Sequence, residues 1–215
     1  MPTRRQLLYL VTFLSPWARV RCAWSDNGTD WAADFIRQIG NEIADIAGSP
    51  APATERRQRL QTLIDRVADV DDVARFCLGR FWRQASATQQ GEYVTLFHMI
   101  LMKSVLARIN AESPTRSEVH VTIGHSEMRE DGVYVPTLVD RSGNPPAHVT
   151  WVVRAGTPDP KLVDVIAEGT SLRLTVRSDY STFLLRHSDN IDALLQAMRD
   201  QVCDNCAPAN SSGAR

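Results

Sequence analysis

Cys203 and Cys206 form a Cys-x-x-Cys pair near the end of the chain. That spacing serves thiol–disulfide exchange or half of a zinc site. The redox motif belongs beside a βαβ unit, and no such unit is present. A zinc site needs a second ligand pair, and none stands out. In an oxidising compartment the two residues close a local disulfide or remain idle thiols. Asp164 and Glu168 flank Val165-Ile166-Ala167. A carboxylate beside a pocket acts as a general base when its pKa is raised. On an alternating strand, however, Asp164 points away from the face carrying Val163 and Val165, and Glu168 precedes Gly169 at a bulge or turn. Neither is assigned a catalytic role. His98 falls in an apolar helical stretch, where it is expected as a buried, hydrogen-bonded core residue. Arg75, Arg80 and Arg83 flank a helical apolar stripe. They form a solvated face or meet phosphate headgroups or acidic partners. Phosphate-cradling loops, the GxSxG elbow and paired zincin histidines are all absent. The chain is therefore read as having no catalytic residues, no metal ligands and no cofactor.

These residues sit on a sequence that begins helical and turns to strands. Trp31, Phe35, Ile39, Ile43 and Ile46 recur at helical spacing, and Gly48 to Pro52 ends that helix. Leu60, Leu63, Ile64, Val67 and Val70 mark a second helix. Asp71 and Asp72 suit the start of a third, which carries Val73, Phe76, Cys77, Phe81 and Trp82. A fourth helix runs from about Thr88 to Asn110. One of its stripes holds Tyr93, Leu96, Phe97, Ile100 and Leu101. The other holds Met99, Met102, Leu106 and Ile109. A helix apolar on most of its circumference must be covered on most sides, which predicts a central helix with helices on one side and a sheet on the other. Val119, Val121 and Ile123 then alternate with polar residues, as in a half-buried strand. Asp131-Gly132 marks a hairpin. Further strands are expected over Val133 to Asp140, through Val149, Trp151 and Val153, and from Leu162 to Ile166. The last is expected to resume through Leu172, Leu174 and Val176. Ser178 to Arg186 reads as a short helix, and Ile191, Leu194, Leu195, Met198 and Val202 as a last one. Helices followed by strands give an α+β fold: a helical layer packed on a four-stranded antiparallel sheet, enclosing an apolar pocket.

Size and charge narrow the function. The chain has 215 residues, 43% of them hydrophobic, and a formal net charge of -1. That balance gives no basic field for nucleic acid. Beyond the first two dozen residues no apolar run is long enough to span a bilayer. Arg4 and Arg5 followed by Leu7 to Leu14 read as an export signal of twin-arginine type. Residues 1–23 are read as that signal, 24–206 as one domain, and 207–215 as a disordered tail.

Two stretches are similar to the MlaC (toluene-tolerance) family. The first is Ala74-Arg75-Phe76-Cys77-Leu78-Gly79-Arg80-Phe81-Trp82-Arg83, followed by Ala85, Thr88, Gln90, Tyr93 and Phe97. The second is Asp164-Val165-Ile166-Ala167-Glu168-Gly169-Thr170-Ser171-Leu172, followed by Arg177-Ser178-Asp179-Tyr180. The Asp140 to Pro146 turn also fits. Thr170 and Tyr180 depart from the family's usual valine and phenylalanine. The resemblance implies a non-enzymatic periplasmic lipid-binding shuttle. Its cargo would be phospholipid, or hopanoid if the chain belongs to the hopanoid-associated branch. Its partners would be an inner-membrane ABC transporter with a ring-forming lipid-binding subunit and an outer-membrane lipoprotein complex.

On this reading the lipid is lined by Phe76, Phe81, Phe97, Leu101 and Val105 from the helices. Val121, Val135, Trp151, Val153, Val165 and Leu174 line it from the strands. Two other classes compete. A small pocket-bearing enzyme would need ionisable groups converging inside the pouch. A peptide-groove interaction module would need only an apolar groove.

Overall fold

A computed structural model describes residues 28–111, 119–141, 145–156 and 158–203. The signal sequence, the 207–215 tail and Cys206 lie outside these residues. Among the described residues, four α-helices precede a run of six strands and two more follow it. Helices α1 (Asp30–Gly48), α2 (Ala53–Val67), α3 (Val70–Leu78) and α4 (Ala87–Ala111) come first, with a 3-10 turn over Gly79–Arg83 between the last two. The strands follow: β1 (Val119–Ile123), β2 (Glu127–Arg129), β3 (Gly132–Arg141), β4 (Ala147–Arg154), β5 (Lys161–Ala167) and β6 (Thr170–Ser171). Helices α5 (Leu172–Arg186) and α6 (Ile191–Cys203) close the chain.

The sheet is antiparallel throughout, in the order β1-β3-β4-β5-β6, with β2 paired to β3 as a short outrigger. The four expected strands are its long members, and β2 and β6 are two short additions. Directly paired residues share a face. The register pairs Val121 with Val139, Val135 with Trp151, and Trp151 with Val165. One face therefore carries Val121, Ile123, Val133, Val135, Trp151, Val153 and Val165. A register shift opposite Val152 and Val153 makes Val163 an extra residue in β5. Strict alternation fails there, and both Val163 and Asp164 are buried.

Two local features override the sequence pattern. Leu172, Leu174 and Val176 do not resume a strand: they open α5. Ser171 caps this helix, its side chain accepting from the Leu174 N–H at 3.1 Å. The Glu168-Gly169 pair forms the tight β5–β6 turn, with φ of 48° and 78°. Two consecutive positive φ values match the twist of a hairpin. Glu168 tolerates its own because its carboxylate accepts from the His148 N–H at 2.7 Å.

Apolar packing divides into two clusters. The first is purely helical. It gathers Ala74, Cys77, Leu78 and Phe81 around Tyr93, Leu96 and Phe97 of α4, and closes with Leu184, Leu194, Leu195 and Met198. The second joins α1, α2 and the sheet through Ile36, Ile39, Leu60 and Leu63 against Val133, Val135 and Val153. Helix α4 serves both in turn. Its first half lies in the helical cluster, and Met102, Val105 and Leu106 of its second half lie in the other. The expected two-sided helix is thus realised along its length rather than around its girth.

Candidate functional site

The cluster between α1, α2, α4 and the sheet has a closed end and an open one. Val133, Val135 and Val153 are fully covered at the closed end. Trp31, Phe35, Ile43, Val105, Leu106 and Ile123 pack against the same cluster but are only partly buried. Val121, on the same sheet face, is 52% exposed. A continuous apolar sheet face thus runs from a covered floor to an uncovered rim. The indole of Trp151 is fixed over this face, its Nε1–H donating to the Thr137 hydroxyl at 3.0 Å. That hydroxyl donates in turn to the Val149 carbonyl at 2.8 Å. A large amphipathic ring is thereby held with its polar tip satisfied and its body free for apolar contact.

The structure brings together some of the expected lining residues and separates others. Val135, Trp151, Val153 and Val105 meet in the cleft cluster. Val121 and Val165 share the sheet face by register. Phe76, Phe81, Phe97 and Leu101 lie instead in or against the helical cluster. Leu174, placed on α5 rather than a strand, is 55% exposed. Sequence reasoning did not assign Trp31, Phe35, Ile43, Leu106 and Ile123 to the site. For Trp31, Phe35 and Ile43 the signal is the one-sided periodicity of α1.

The ionisable groups that attracted notice are tied into scaffolding. Asp164 accepts from the Ser171 hydroxyl at 2.6 Å, and from the Val165 and Arg173 N–H groups at 2.8 and 3.1 Å. The Arg173 guanidinium, 13% exposed, lies 3.3 Å from Asp164 and donates to Asp131 at 2.6 Å. Burial alone would raise the Asp131 carboxyl, but hydrogen bonds from Arg173 and Tyr134 outweigh it and hold its pKa below the ordinary value. Arg173 also stacks on one side of Phe76, at 4.6 Å, with Arg177 at 4.8 Å from the same ring. Arg177 donates to the Phe76 carbonyl and lies against Gly79, where an added Cβ would stand 3.2 Å from the guanidinium. Gly79 has φ of 59° and is needed on both counts. Packing of α3 against α5 thus accounts for Phe76, Gly79 and Arg177 of the two family-like stretches.

Remaining candidates follow suit. Burial, with Asp164 nearby, pushes the Cys77 thiol up to about 12, so it carries no thiolate at neutral pH. Burial likewise raises Tyr93, whose hydroxyl donates to the Ala74 carbonyl at 3.0 Å, and raises Tyr180 to about 12. His98 is half-buried rather than buried, with Nε2 2.9 Å from Asp65. Arg75 and Arg80 rest on Trp82 and Phe81 at 5.2 and 4.7 Å. Among the described residues no group of three or more His, Cys, Asp or Glu is placed to hold a metal, and no helix is long and apolar enough to cross a membrane.

Comparison with known proteins agrees with this fold. No curated protein sequence matches the chain. A phospholipid-binding protein from Ralstonia solanacearum, solved in complex with a phospholipid, has the same fold with a TM-score of 0.68 at 19% identity. The match covers 80% of this chain and 97% of that one. Residues 35–200 match the family described as MlaC protein. The chain belongs to the MlaC family of non-enzymatic lipid carriers.

Proposed function

We propose that this protein is a periplasmic shuttle for a phospholipid, whose acyl chains occupy the cleft between the sheet and helices α1, α2 and α4. The observation that carries the reading is the single apolar sheet face, covered at Val133, Val135 and Val153 yet open at Val121. Burying acyl chains gains about 0.8 kcal/mol per methylene, so such a face binds a lipid without any covalent step. The Ralstonia protein of the same fold holds a phospholipid, which favours that cargo over hopanoid. Residues 1–23 would direct export. The carrier would then exchange lipid with an inner-membrane ABC transporter and its ring-forming subunit on one side, and an outer-membrane lipoprotein complex on the other.

The test is fractionation of the native host followed by mass spectrometry of organic extracts from the purified protein. The expected result is a mature chain in the periplasm carrying about one two-chain phospholipid. Full-length protein in the cytosol, or a purified chain free of lipid, would overturn the shuttle. A polycyclic cargo would overturn the phospholipid.

A further inference from the structure

An apolar depression also lies along α4. It is a groove of about 780 Å³ bounded by α2, α4 and α6. Its floor is built from two adjacent ridges of α4, each with a spacing of four. Val94, His98, Met102 and Leu106 form one, and Thr95, Met99, Lys103 and Ala107 the other. Arg57 and Gln61 of α2 and Val202 of α6 make the walls. Met99, in the centre, is 49% exposed. The two ridges account for the second apolar stripe of α4, which neither neighbouring helix fully covers.

We propose that this groove docks one amphipathic helix of a partner protein, with an apolar stripe on the floor and acidic residues along its edge. Shape supports a helix. Ridges spaced by four are the surface into which another helix packs. From Val94 to Ala107 the floor is about 20 Å long at 1.5 Å per residue. Met99 and Met102 supply flexible thioether side chains of the kind used where a helix is received.

Charge selects the acidic edge. The lining holds two fixed cations, Arg57 and Lys103, and no carboxylate. Lys103 donates to the Gln201 carbonyl, a neutral acceptor. Asp65, close by, is engaged by His98. Met102 and Leu106 also pack against the cargo cluster, so a helix seated here touches residues that form the wall of the cleft.

The probe is a synthetic 18-residue amphipathic peptide with a leucine stripe flanked by glutamates, and its counterpart flanked by lysines. Binding to the full chain is read by fluorescence anisotropy. The glutamate peptide should bind at least tenfold tighter than the lysine peptide, and Met99→Glu should abolish that binding with an unchanged melting temperature and lipid content. The double variant Arg57→Glu with Lys103→Glu should reverse the preference toward the lysine peptide. Equal binding of the two peptides, or a Met99→Glu chain that binds as well as the original, would overturn the proposal. So would binding seen only after truncation at Cys203, since the C-terminal segment would then be the occupant. Vesicles of phosphatidylglycerol that bind through Met99 while the peptides do not would overturn it in favour of a membrane surface.

Discussion

The helical block and the sheet cleft contain the same kinds of residue and are built to different tolerances. In the block, Tyr93 has its hydroxyl bonded to the Ala74 carbonyl, and its ring is surrounded by Trp82, Phe97 and Tyr180 at centroid distances of 5.9 to 6.4 Å. Cys77, Leu78, Leu184 and Leu195 are completely covered. In the cleft, Trp31, Phe35, Ile43 and Trp151 remain partly accessible around a buried floor. The block also has half-buried apolar residues at its margin, Phe76, Trp82 and Phe183 among them, but they surround a fully covered centre. The sheet face runs out to Val121, which is open to solvent. On the proposed reading, lipid covers that face while the block stays unchanged.

The largest effect that separates the two regions is a cavity in the block. Phe81 is 1% exposed and belongs to the helical cluster. Phe81→Ala should cost about 3–5 kcal/mol, read as a fall in the urea midpoint. The protein that remains folded should carry its normal lipid load. If lipid is lost in the folded fraction, Phe81 lines the cargo after all, and the division between the regions fails.

Alkaline titration gives a smaller and graded effect. Cys77, Tyr93 and Tyr180 all belong to the block and all have raised pKa values, chiefly from burial. Raised acids stay protonated in the folded chain after the unfolded chain has ionised. Their stabilisation is complete below the ordinary values of 9.0 for the thiol and 10.0 for the phenols, and is lost as pH rises beyond them. Stability from denaturant titration should therefore fall progressively above pH 9. Tyr93→Phe should flatten that slope, and an unchanged slope would show that the phenol is not held as described.

What the sequence made legible follows the same division. Helical spacing located α1, α2, α4 and α6 because each buries a definite apolar face. The two signature stretches were visible because glycine, arginine and aromatic residues have narrow structural uses, as at Gly79, Arg177 and Tyr93. The start of α5 was misread. Leu172, Leu174 and Val176 alternate like a strand, but the Ser171 cap and the network of Asp164 and Arg173 hold a helix there. Those bonds span two elements, and spacing does not announce them. The cleft was only half legible for a related reason. Partial burial is a property of how far covering helices reach, so Phe97 and Ile123 look alike in sequence while one is core and the other rim.

The smallest effect on stability should come from the most disruptive-looking change, a tryptophan in the cleft. Val121 and Val165 lie on the apolar sheet face, Val121 open to solvent and Val165 half-buried beside Trp151. Overpacking a filled core costs about 1–3 kcal/mol. An open cleft has room for the added ring, and the ring covers apolar surface that the lipid would otherwise cover. Val121→Trp and Val165→Trp should leave the melting temperature of the delipidated chain within about 2 °C of the original, which corresponds to about 0.5–1 kcal/mol at most for a domain of this size. The same variants should retain less phospholipid after purification, with Val165→Trp the more affected because it lies deeper on the face. The opposite pattern, a lowered melting temperature with a full lipid load, would make these positions core and move the cleft elsewhere. Charge substitutions at the same sites would not discriminate, since a carboxylate placed on an apolar face is costly in a core and in a lipid cleft alike.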